Sequence, residues 1–385
     1  MEHVLLTYQE MIPSAILCGH TQLKWLAENN KIEYRHSRVF SVTSELLSWA
    51  DVIIMVRGAL EIDLFIAKLA KRAGKKLVYI LDDDLLNVPE HIVSAPFYNS
   101  RKTKKLIPEI MGCCDCFASP SLKLIEKYGG RFKETALIEE PALYNGEIAK
   151  KDSGKVNICF AGSLDRTKDL EALISDVVKR LISHYADRIT ITFFGAKPAI
   201  VDECGLRYLS YVNSYSDYMA VMSSQGFDIG LAPMIPTEFS SCKHYNKYIE
   251  YASYGIVGIY SDVLPYTRAV RDRENGMLCD NDADAWYEAI AALIDDPDLL
   301  NRMREQCLEE ARTEYSVETV SGQFYETLCM TNQVTVGEID RNYALWIFGF
   351  KLKQFISRCW SYVMRQIKKS FAIACSTSKK EGDNE

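Results

Sequence analysis

The sequence has no excess of basic residues of the kind that nucleic-acid-binding domains carry. Of its 385 residues, 45 are Lys or Arg and 52 are Asp or Glu, so the formal net charge is −7 at pH 7. Nine of the basic residues lie between positions 341 and 380, where no acidic residue occurs. The rest of the chain is therefore more acidic than the total suggests. Because nucleic-acid-binding domains present basic patches on their folded surface, this distribution excludes general nucleic-acid binding.

The cysteines lack the spacing of a zinc site or of a disulfide framework. There are 12 of them, and the densest group is Cys113, Cys114 and Cys116. No second pair accompanies this group at the separation that zinc sites use. We therefore expect buried, reduced cysteines. We also expect a chain without a signal peptide, because Met1 to His3 lead directly into a short strand-like run. A cytoplasmic protein follows from both expectations.

No internal repeat of solenoid period is visible, and the length exceeds what a single core usually serves. We predict an α/β protein with two domains, over residues 1–150 and 151–330, because apolar strand-like runs alternate with amphipathic helical stretches. The predicted strands of the first domain are 4–8, 50–56, 77–81, 115–118 and 136–138, and its predicted helices are 14–29, 60–73 and 122–128. A polar linker follows at 145–154. The pattern restarts at Val156 and ends in helices over 283–328.

Residues 227–279 carry the strongest local signal. An apolar run at 229–234 precedes a helix-like stretch at 243–254, which ends at Gly255, and a second apolar run follows at 256–260. This order is typical of a strand, a helix and a strand of a parallel sheet. Lys243, Lys247 and Glu250 fall on one side of the predicted helix. Such a position lies at the crevice where open α/β sheets bind phosphorylated ligands.

These residues resemble the donor half of the group 1 glycosyltransferases, which have two Rossmann-like doubly wound domains facing a cleft, the GT-B architecture. The matching segments are VNICFAGSLDRTKDLEAL from Val156, KYIEYASYG, IVGIYSD and VRDRENGMLC. The resemblance covers residues 155–328 well and the first half in outline. It implies a nucleoside-diphosphate sugar as donor, retention of the anomeric configuration, no metal and no cofactor. It also implies that the last helix returns to the first domain.

The resemblance assigns donor contacts to two segments. In the loop that begins at Gly162, Arg166 and Lys168 would meet the diphosphate, and the alternative is that both are ordinary cations of a solvated loop. Glu250 matches the second glutamate of the family's paired-glutamate motif, which holds the ribose, whereas Cys242 stands where the first glutamate belongs. Lys243, His244 and Lys247 then become candidates for the remaining donor contacts. The plainer alternative for Glu250 is an i,i+3 partner of Lys247.

Asp82, Asp83 and Asp84 follow a buried strand and are the catalytic candidates. Adjacent carboxylates raise one another's pKa, so one of them could act as a base towards an acceptor hydroxyl. A divalent metal site and a structural acidic turn that caps a helix remain alternatives. On the acceptor side we select His91 in the same loop and Ser14 at the start of the first helix.

The segment 340–375 forms a basic amphipathic pattern, followed by a tail at 376–385 that we expect to be disordered. In residues 343–371, Leu352, Ile356 and other apolar residues share one helical face, while Lys351, Arg358 and Arg365 recur on another. Aromatic residues without any acid favour a helix that lies on an anionic membrane surface. The alternative is a helix packed on the protein body. The basic residues exclude a comfortable transmembrane span.

These patterns predict a cytoplasmic enzyme attached peripherally to the inner face of the membrane. It would move a sugar from a nucleoside-diphosphate sugar to a glycan or lipid-linked acceptor in cell-surface polysaccharide biosynthesis. Two rival interpretations remain. One is a nucleotide-sugar epimerase of the same architecture, and the other is a non-catalytic scaffold with a vestigial donor site.

Overall fold

The structure is a computed structural model, and it describes residues 1–144 and 154–328 together with Gly349, Leu352 and Ile356. Most of the predicted linker and nearly all of the predicted tail helix and the terminal tail thus lie outside the described residues. Within the described part, no helix combines the length and the apolar character needed to cross a membrane.

The first domain, or N-domain, is built on a six-stranded parallel sheet of order β2-β1-β3-β4-β5-β6. All residues of β3 are buried, as are nearly all of β1, which is typical of a parallel sheet covered by helices on both faces. The edge strand β2 is mostly polar and exposed, which explains why its pattern did not predict a strand. The bounds are β1 (His3–Tyr8), β2 (Glu33–Arg38), β3 (Val52–Val56), β4 (Lys76–Ile80), β5 (Cys116–Ser119) and β6 (Glu134–Leu137).

Helices connect these strands. Predicted helix 14–29 forms as a continuous helical stretch that contains one π-helical turn, Ile16–His20. Helices Ser44–Trp49 and Arg101–Met111 were not predicted. The three cysteines at 113, 114 and 116 are buried, as expected. The helices are Pro13–Ala15, Thr21–Glu28, Ser44–Trp49, Glu61–Arg72, Ala95–Tyr98, Arg101–Met111 and Leu122–Tyr128, with 3₁₀ turns at Val39–Ser41 and Gly129–Arg131.

The second domain, or C-domain, repeats the design with a parallel sheet of order β12-β11-β10-β7-β8-β9. Its central strands β7, β10 and β11 pair in register, with Ile158 opposite Ile229 and Ile229 opposite Val257. The bounds are β7 (Val156–Gly162), β8 (Ile189–Gly195), β9 (Arg207–Leu209), β10 (Ile229–Ala232), β11 (Val257–Ser261) and β12 (Met277–Cys279).

The predicted helix 243–254 is shorter in the structure. It begins at Asn246 because the chain first forms a separate turn of helix, Glu238–Ser241, which Thr237 caps by accepting from the amide of Ser240 at 3.0 Å. The C-domain helices are Thr167–Leu173, Ser175–Tyr185, Ile200–Glu203, Tyr215–Ser224, Glu238–Ser241, Asn246–Ser253, Ala283–Asp295, Pro297–Thr313 and Val317–Thr327, with 3₁₀ turns at Leu164–Arg166 and Tyr266–Arg268.

Two segments of the C-domain half pack into the apolar clusters of the N-domain. Phe324 and Leu328, at the end of the last helix, are buried against the side of the sheet that helix Thr21–Glu28 covers. Phe239 and Cys242 are buried against the opposite side. The architecture of two doubly wound domains facing a cleft is confirmed. The contacts just described hold the two domains together beside this cleft.

Candidate functional site

The carboxyl ends of the two central strand sets face each other across a cavity of about 450 Å³, which we call the interdomain cavity. The N-domain contributes the loop after β4 and the C-domain contributes the loop after β7. Because ligands of parallel α/β sheets bind beyond the carboxyl ends of strands, this is the expected place for a site. Its polar lining includes Arg57, Asp83, His91, Ser163, Asp165, Arg166, Asp169, Thr237, Ser240 and Lys243.

Arg57 organises the N-domain side of this cavity. It follows β3 directly, and its guanidinium lies 3.3 Å from Asp82 and 3.4 Å from Asp83. It also donates a hydrogen bond of 2.7 Å to the hydroxyl of Ser14. Arg57 was not among the predicted site residues, although it is a polar residue that directly follows a buried strand next to the one that precedes Asp82. Ser14 and His91 are both placed here, Ser14 through Arg57 and His91 in the cavity lining.

Asp83 forms an ion pair across the domain boundary. Lys243 Nζ donates to Asp83 Oδ1 at 2.6 Å, so a C-domain cation meets an N-domain carboxylate. Burial raises the pKa of Asp83, but Lys243 and Arg57 outweigh that effect and lower it below its ordinary value. In this arrangement Asp83 is held as a carboxylate, and removal of the Lys243 charge would increase its basicity.

Asp84 is separated from its two neighbours. Its side chain is fully buried and pairs with Lys127 at 2.8 Å, with further hydrogen bonds from Asn87 and Tyr128. Lys127 also contacts Glu238 of the C-domain. Asp84 is therefore a buried carboxylate that Lys127 links to the C-domain, and of the three predicted catalytic carboxylates only Asp83 lines the interdomain cavity.

A second cavity, the C-domain cavity, opens where β7 and β8 end. It measures about 230 Å³, and its lining includes Phe194, Tyr211, Asn213, Tyr215, Tyr218, Asn246, Lys247 and Glu250. Glycines shape its rim. Gly195 has φ of +89°, and a Cβ there would lie 2.1 Å from the carbonyl oxygen of Gly162. Only glycine allows this close approach of the two strand ends.

Glu250 lies at the wall of the C-domain cavity and is held by two neighbours. The Tyr218 hydroxyl donates to Glu250 Oε1, and Lys247 forms an ion pair with the same oxygen. Glu250 thus pairs with Lys247 at i,i+3 and also lines the C-domain cavity, so the two predicted interpretations of this residue are compatible. Tyr218 stacks on Phe194 with ring centroids 5.0 Å apart, which gives the cavity an aromatic wall. Neither aromatic residue was selected from the sequence.

The loop after β7 connects the two cavities, since Ser163 lines both. Arg166 borders the interdomain cavity and forms an ion pair of 2.8 Å with Asp169. Lys168 is exposed and lines neither cavity. The structure thus brings Arg166 and Lys243 together around one space, whereas Lys168 points elsewhere.

His244 and Cys242 occupy buried positions behind the cavities. The His244 ring, with its side chain 1% exposed, lies 2.7 Å from Glu139 Oε1. Burial lowers the pKa of His244, but Glu139 and Glu140 raise it more, to about 9. Cys242 packs on the N-domain core and so contributes an apolar contact between the domains. His244, predicted as a donor contact, lines neither cavity and instead joins the domains.

Within the ranges 1–144 and 154–328, no group of three His, Cys, Asp or Glu side chains has an arrangement that could hold a metal ion.

Comparison with known sequences assigns a family to the C-domain. Residues 155–296 match the family of group 1 glycosyl transferases. The prediction of a group 1 glycosyltransferase is confirmed by this match, which covers the loop after β7, Lys243 and Glu250. No curated protein matches the chain significantly.

Comparison with solved structures extends the likeness to both domains. HepE of Anabaena in complex with UDP-glucose superposes with a TM-score of 0.60 at 14% identity, over 86% of this chain and 100% of HepE. Sucrose-phosphate synthase of Thermosynechococcus elongatus gives 0.60 at 13% identity, over 86% and 100%. A putative UDP-N-acetylglucosamine 2-epimerase of Listeria monocytogenes gives 0.53 at 9% identity, over 85% and 95%. At these identities the likeness establishes the two-domain GT-B fold.

Proposed function

We propose that this protein transfers a sugar from a nucleoside-diphosphate sugar, with UDP as the first nucleotide to test, to a hydroxyl group of a glycan or lipid-linked acceptor. The observation that carries the proposal is the connection of the two cavities through Ser163. A nucleoside in the C-domain cavity would direct its diphosphate along this loop towards Arg166, Lys243 and Asp83. Structures similar in fold, such as HepE, contain UDP or UDP-glucose.

The C-domain cavity suits a nucleoside. Its aromatic wall of Phe194 and Tyr218 offers apolar surface to a base, and the Glu250 carboxylate is available to accept from ribose hydroxyls. Sites of this kind combine an apolar lining with a few polar groups that fix orientation. The neighbouring Arg166 and Lys243 then supply positive charge where a leaving diphosphate develops negative charge.

Donor binding is coupled to the state of Asp83 through Lys243. Lys243 pairs with Asp83 at 2.6 Å. A bound diphosphate would attract Lys243 and so raise the pKa of Asp83 towards that of a useful base. During transfer the acceptor oxygen bonds to the anomeric carbon while the bond from that carbon to the diphosphate breaks. The acceptor proton passes either to Asp83 or to the departing phosphate oxygen.

The proposed setting is the cytoplasmic face of a membrane, in the assembly of a cell-surface polysaccharide. The reaction would proceed with retention of configuration and without a metal or cofactor. The predicted membrane helix at 343–371 supports this setting by its sequence pattern. Of the residues described there, Leu352 and Ile356 are 46% and 58% exposed.

A panel of radiolabelled nucleotide sugars, incubated with and without membranes, tests the proposal. We expect release of nucleotide together with label in a glycan or lipid product, unaffected by EDTA. Asp83→Asn should lower kcat by about 100-fold with donor affinity nearly kept, because a base acts mainly in the transition state. Glu250→Ala should weaken UDP binding by about 1–3 kcal/mol in calorimetry, since ribose hydroxyls lose their partner.

Two exposed residues provide matched controls, Asp187→Asn and Glu288→Ala, and both should behave as wild type. Conversion of the donor into a sugar isomer without an acceptor would instead establish an epimerase. Absence of both reactions, with UDP still bound, would favour the scaffold. Activity lost with EDTA and restored by manganese would contradict the metal-free mechanism.

A further inference from the structure

Two neighbouring helices of the N-domain, Glu61–Arg72 and Arg101–Met111, present a strongly basic surface, which we call the basic helix face. Their apolar residues are buried on one side of the N-domain sheet. Eight side chains of the two helices are exposed, and seven of these are basic, in a chain whose net charge is −7. The seven cations are Lys68, Lys71, Arg72, Arg101, Lys102, Lys104 and Lys105.

Carboxylates neutralise only part of the basic helix face. Glu61, the one acidic residue among the eight, pairs with Lys102 at 3.0 Å. The half-buried Glu109 lies 3.9 Å from both Lys68 and Lys105. Exposed pairs of this kind are weak, so an anionic partner could recruit their cations. Three further cations form no ion pair with any residue of the ranges 1–144 and 154–328: Arg72, Arg101 and Lys104.

Four of these cations occupy positions that are unfavourable for the helix itself. They are among the first five residues of Arg101–Met111, where the helix dipole favours acidic side chains and no acidic residue is present. The helix begins with a neutral cap, because the Ser100 hydroxyl accepts from the amide of Thr103 at 3.2 Å. The fold therefore gains nothing from this concentration of positive charge, which indicates an anionic partner outside the chain.

Exposed apolar side chains precede the basic helix face in the chain, beside the cleft. Val93 and Phe97 are 80% and 39% exposed, and both belong to the segment that leads from β4 into the second basic helix. The residues on either side of Val93 line the interdomain cavity. The Val93 amide donates to Asp165 of the C-domain at 3.3 Å, so this part of the segment is held at the edge of the cleft.

The combination of exposed apolar residues with many cations favours a lipid surface as the partner. Apolar side chains can enter the acyl boundary of a bilayer while Lys and Arg meet anionic headgroups. A soluble polyanion would pair with the cations and would leave Val93 and Phe97 in water. The segment 343–371 has the same combination in its sequence. Since stable attachment of a peripheral protein takes two contacts, the basic helix face is suited to be the second one.

We propose that the basic helix face, together with Val93 and Phe97, binds an anionic lipid bilayer and so places the mouth of the interdomain cavity beside the membrane surface. This surface is separate from the segment 343–371. The inference rests on the proposed function for its membrane setting. Binding to lipid vesicles needs neither donor nor acceptor, so it is measured independently of sugar transfer.

The first experiment measures binding of the full-length protein to vesicles of phosphatidylcholine, with and without phosphatidylglycerol. We expect wild type to bind only the anionic vesicles. The double variant Arg101→Gln with Lys104→Gln should bind them about 30-fold more weakly, because two cations that meet anionic headgroups are lost. Lys24→Gln with Lys31→Gln is the matched control, since both lysines are exposed and the helix that contains Lys24 packs on the opposite side of the sheet.

The second experiment asks whether Val93 enters the bilayer. Val93→Trp should be quenched by brominated phosphatidylglycerol vesicles beyond the wild-type background, whereas Gln323→Trp, at an exposed position of the last helix, should not. Melting temperature and UDP affinity should stay unchanged in all variants, which shows that they fold.

Equal vesicle affinities of the two double variants, or equal quenching of the two tryptophan variants, would overturn the assignment. Binding of soluble heparin that depends on Arg101 and Lys104, without such dependence for vesicles, would also overturn it and would identify a soluble polyanion as the partner. Each of these results leaves sugar transfer, measured on a soluble acceptor, untouched. Vesicle binding that depends on Arg101 and Lys104, in a protein that transfers no sugar, would support the surface and contradict the proposed function.

Discussion

Individual polar residues hold the two domains together next to the cleft. His244 of the C-domain lies against Glu139 and Glu140, the residues that follow the last N-domain strand. Tyr245 adds a hydrogen bond of 2.6 Å to Glu139, and Cys18 donates to Glu140 at 3.0 Å. Burial raises the pKa of Glu140 to about 7. The pairing of these groups makes the contact between the domains dependent on protonation.

We expect stability to fall as the pH rises because of His244. Its pKa is about 9 in the folded protein against an ordinary value of 6.5, so the folded state binds this proton more tightly than the unfolded chain. The resulting stabilisation is complete below pH 6.5 and is lost as the pH rises through 9. Glu140 acts in the same direction at lower pH, so the range from pH 7 to 9 is the most informative one.

Thermal melting between pH 6.5 and 9.5 measures this dependence. His244→Gln should melt lower than wild type at pH 6.5 and should lose much less of its melting temperature on the way to pH 9. His184→Gln, at an exposed histidine, should keep the wild-type dependence. The same slope in wild type and His244→Gln would show that the ion pair does not support the domain contact.

At the scale of elements, the loop after β7 determines how the interdomain cavity and the C-domain cavity are connected. Gly162 ends the strand, Ser163 lines both cavities and the 3₁₀ turn Leu164–Arg166 carries the side chain of Arg166 to the interdomain cavity. On the opposite wall, Lys243 lies between helices Glu238–Ser241 and Asn246–Ser253. The division of the predicted single helix into two therefore positions this lysine for the cleft.

We expect Arg166→Gln and Lys243→Gln to weaken UDP binding by about 1.5–3 kcal/mol each, the range for hydrogen bonds to charged groups. Binding of uridine should change little, because uridine lacks the charge that these residues would pair with. Lys168→Gln is the matched control, since Lys168 is exposed and outside both cavities. Calorimetric titration with both ligands measures the difference. If the affinities for UDP and for uridine fall equally, these cations do not pair with the diphosphate.

At the scale of the whole molecule, the chain crosses between the domains more than once. The last helix, Val317–Thr327, leaves the C-domain and buries Phe324 in the N-domain. Lys76 of β4 donates to the carbonyl of Leu328 at 2.9 Å, so the end of this helix lies beside the N-domain sheet. The predicted membrane segment at 343–371 follows shortly after.

A chain that ends at residue 341 should bind UDP as the full-length protein does but should no longer float with anionic liposomes. Each basic residue near such a surface contributes about 1 kcal/mol, and the apolar face adds to this. High salt should reduce binding of the full chain only partly, because screening removes the charge contribution and leaves the apolar one. Replacement of exposed Leu352 and Ile356 by Glu should also abolish flotation. A truncated chain with a markedly lower melting temperature would show instead that the segment packs on the body.

The sequence by itself determined the two-sheet architecture and the region of the donor site. Apolar runs such as β3 and β11 are buried on both faces of a parallel sheet, so each of these strands can be recognised from its own short stretch of sequence. Edge strand β2 was missed because its residues are polar and mostly exposed. Glu250, Arg166 and Lys243 could be selected because they lie in segments that resemble a family.

Only the tertiary structure decided which polar residues face the same space. Asp83 and Asp84 are adjacent in the chain but contact different residues. Asp83 pairs with Lys243, 160 positions away, whereas Asp84 is buried and pairs with Lys127. Arg57 becomes central because the ends of β3 and β4 lie side by side and a left-handed turn directs its guanidinium to Asp82. Such neighbours are distant in the chain, and their contacts depend on how two domains pack, which no local pattern of residues encodes.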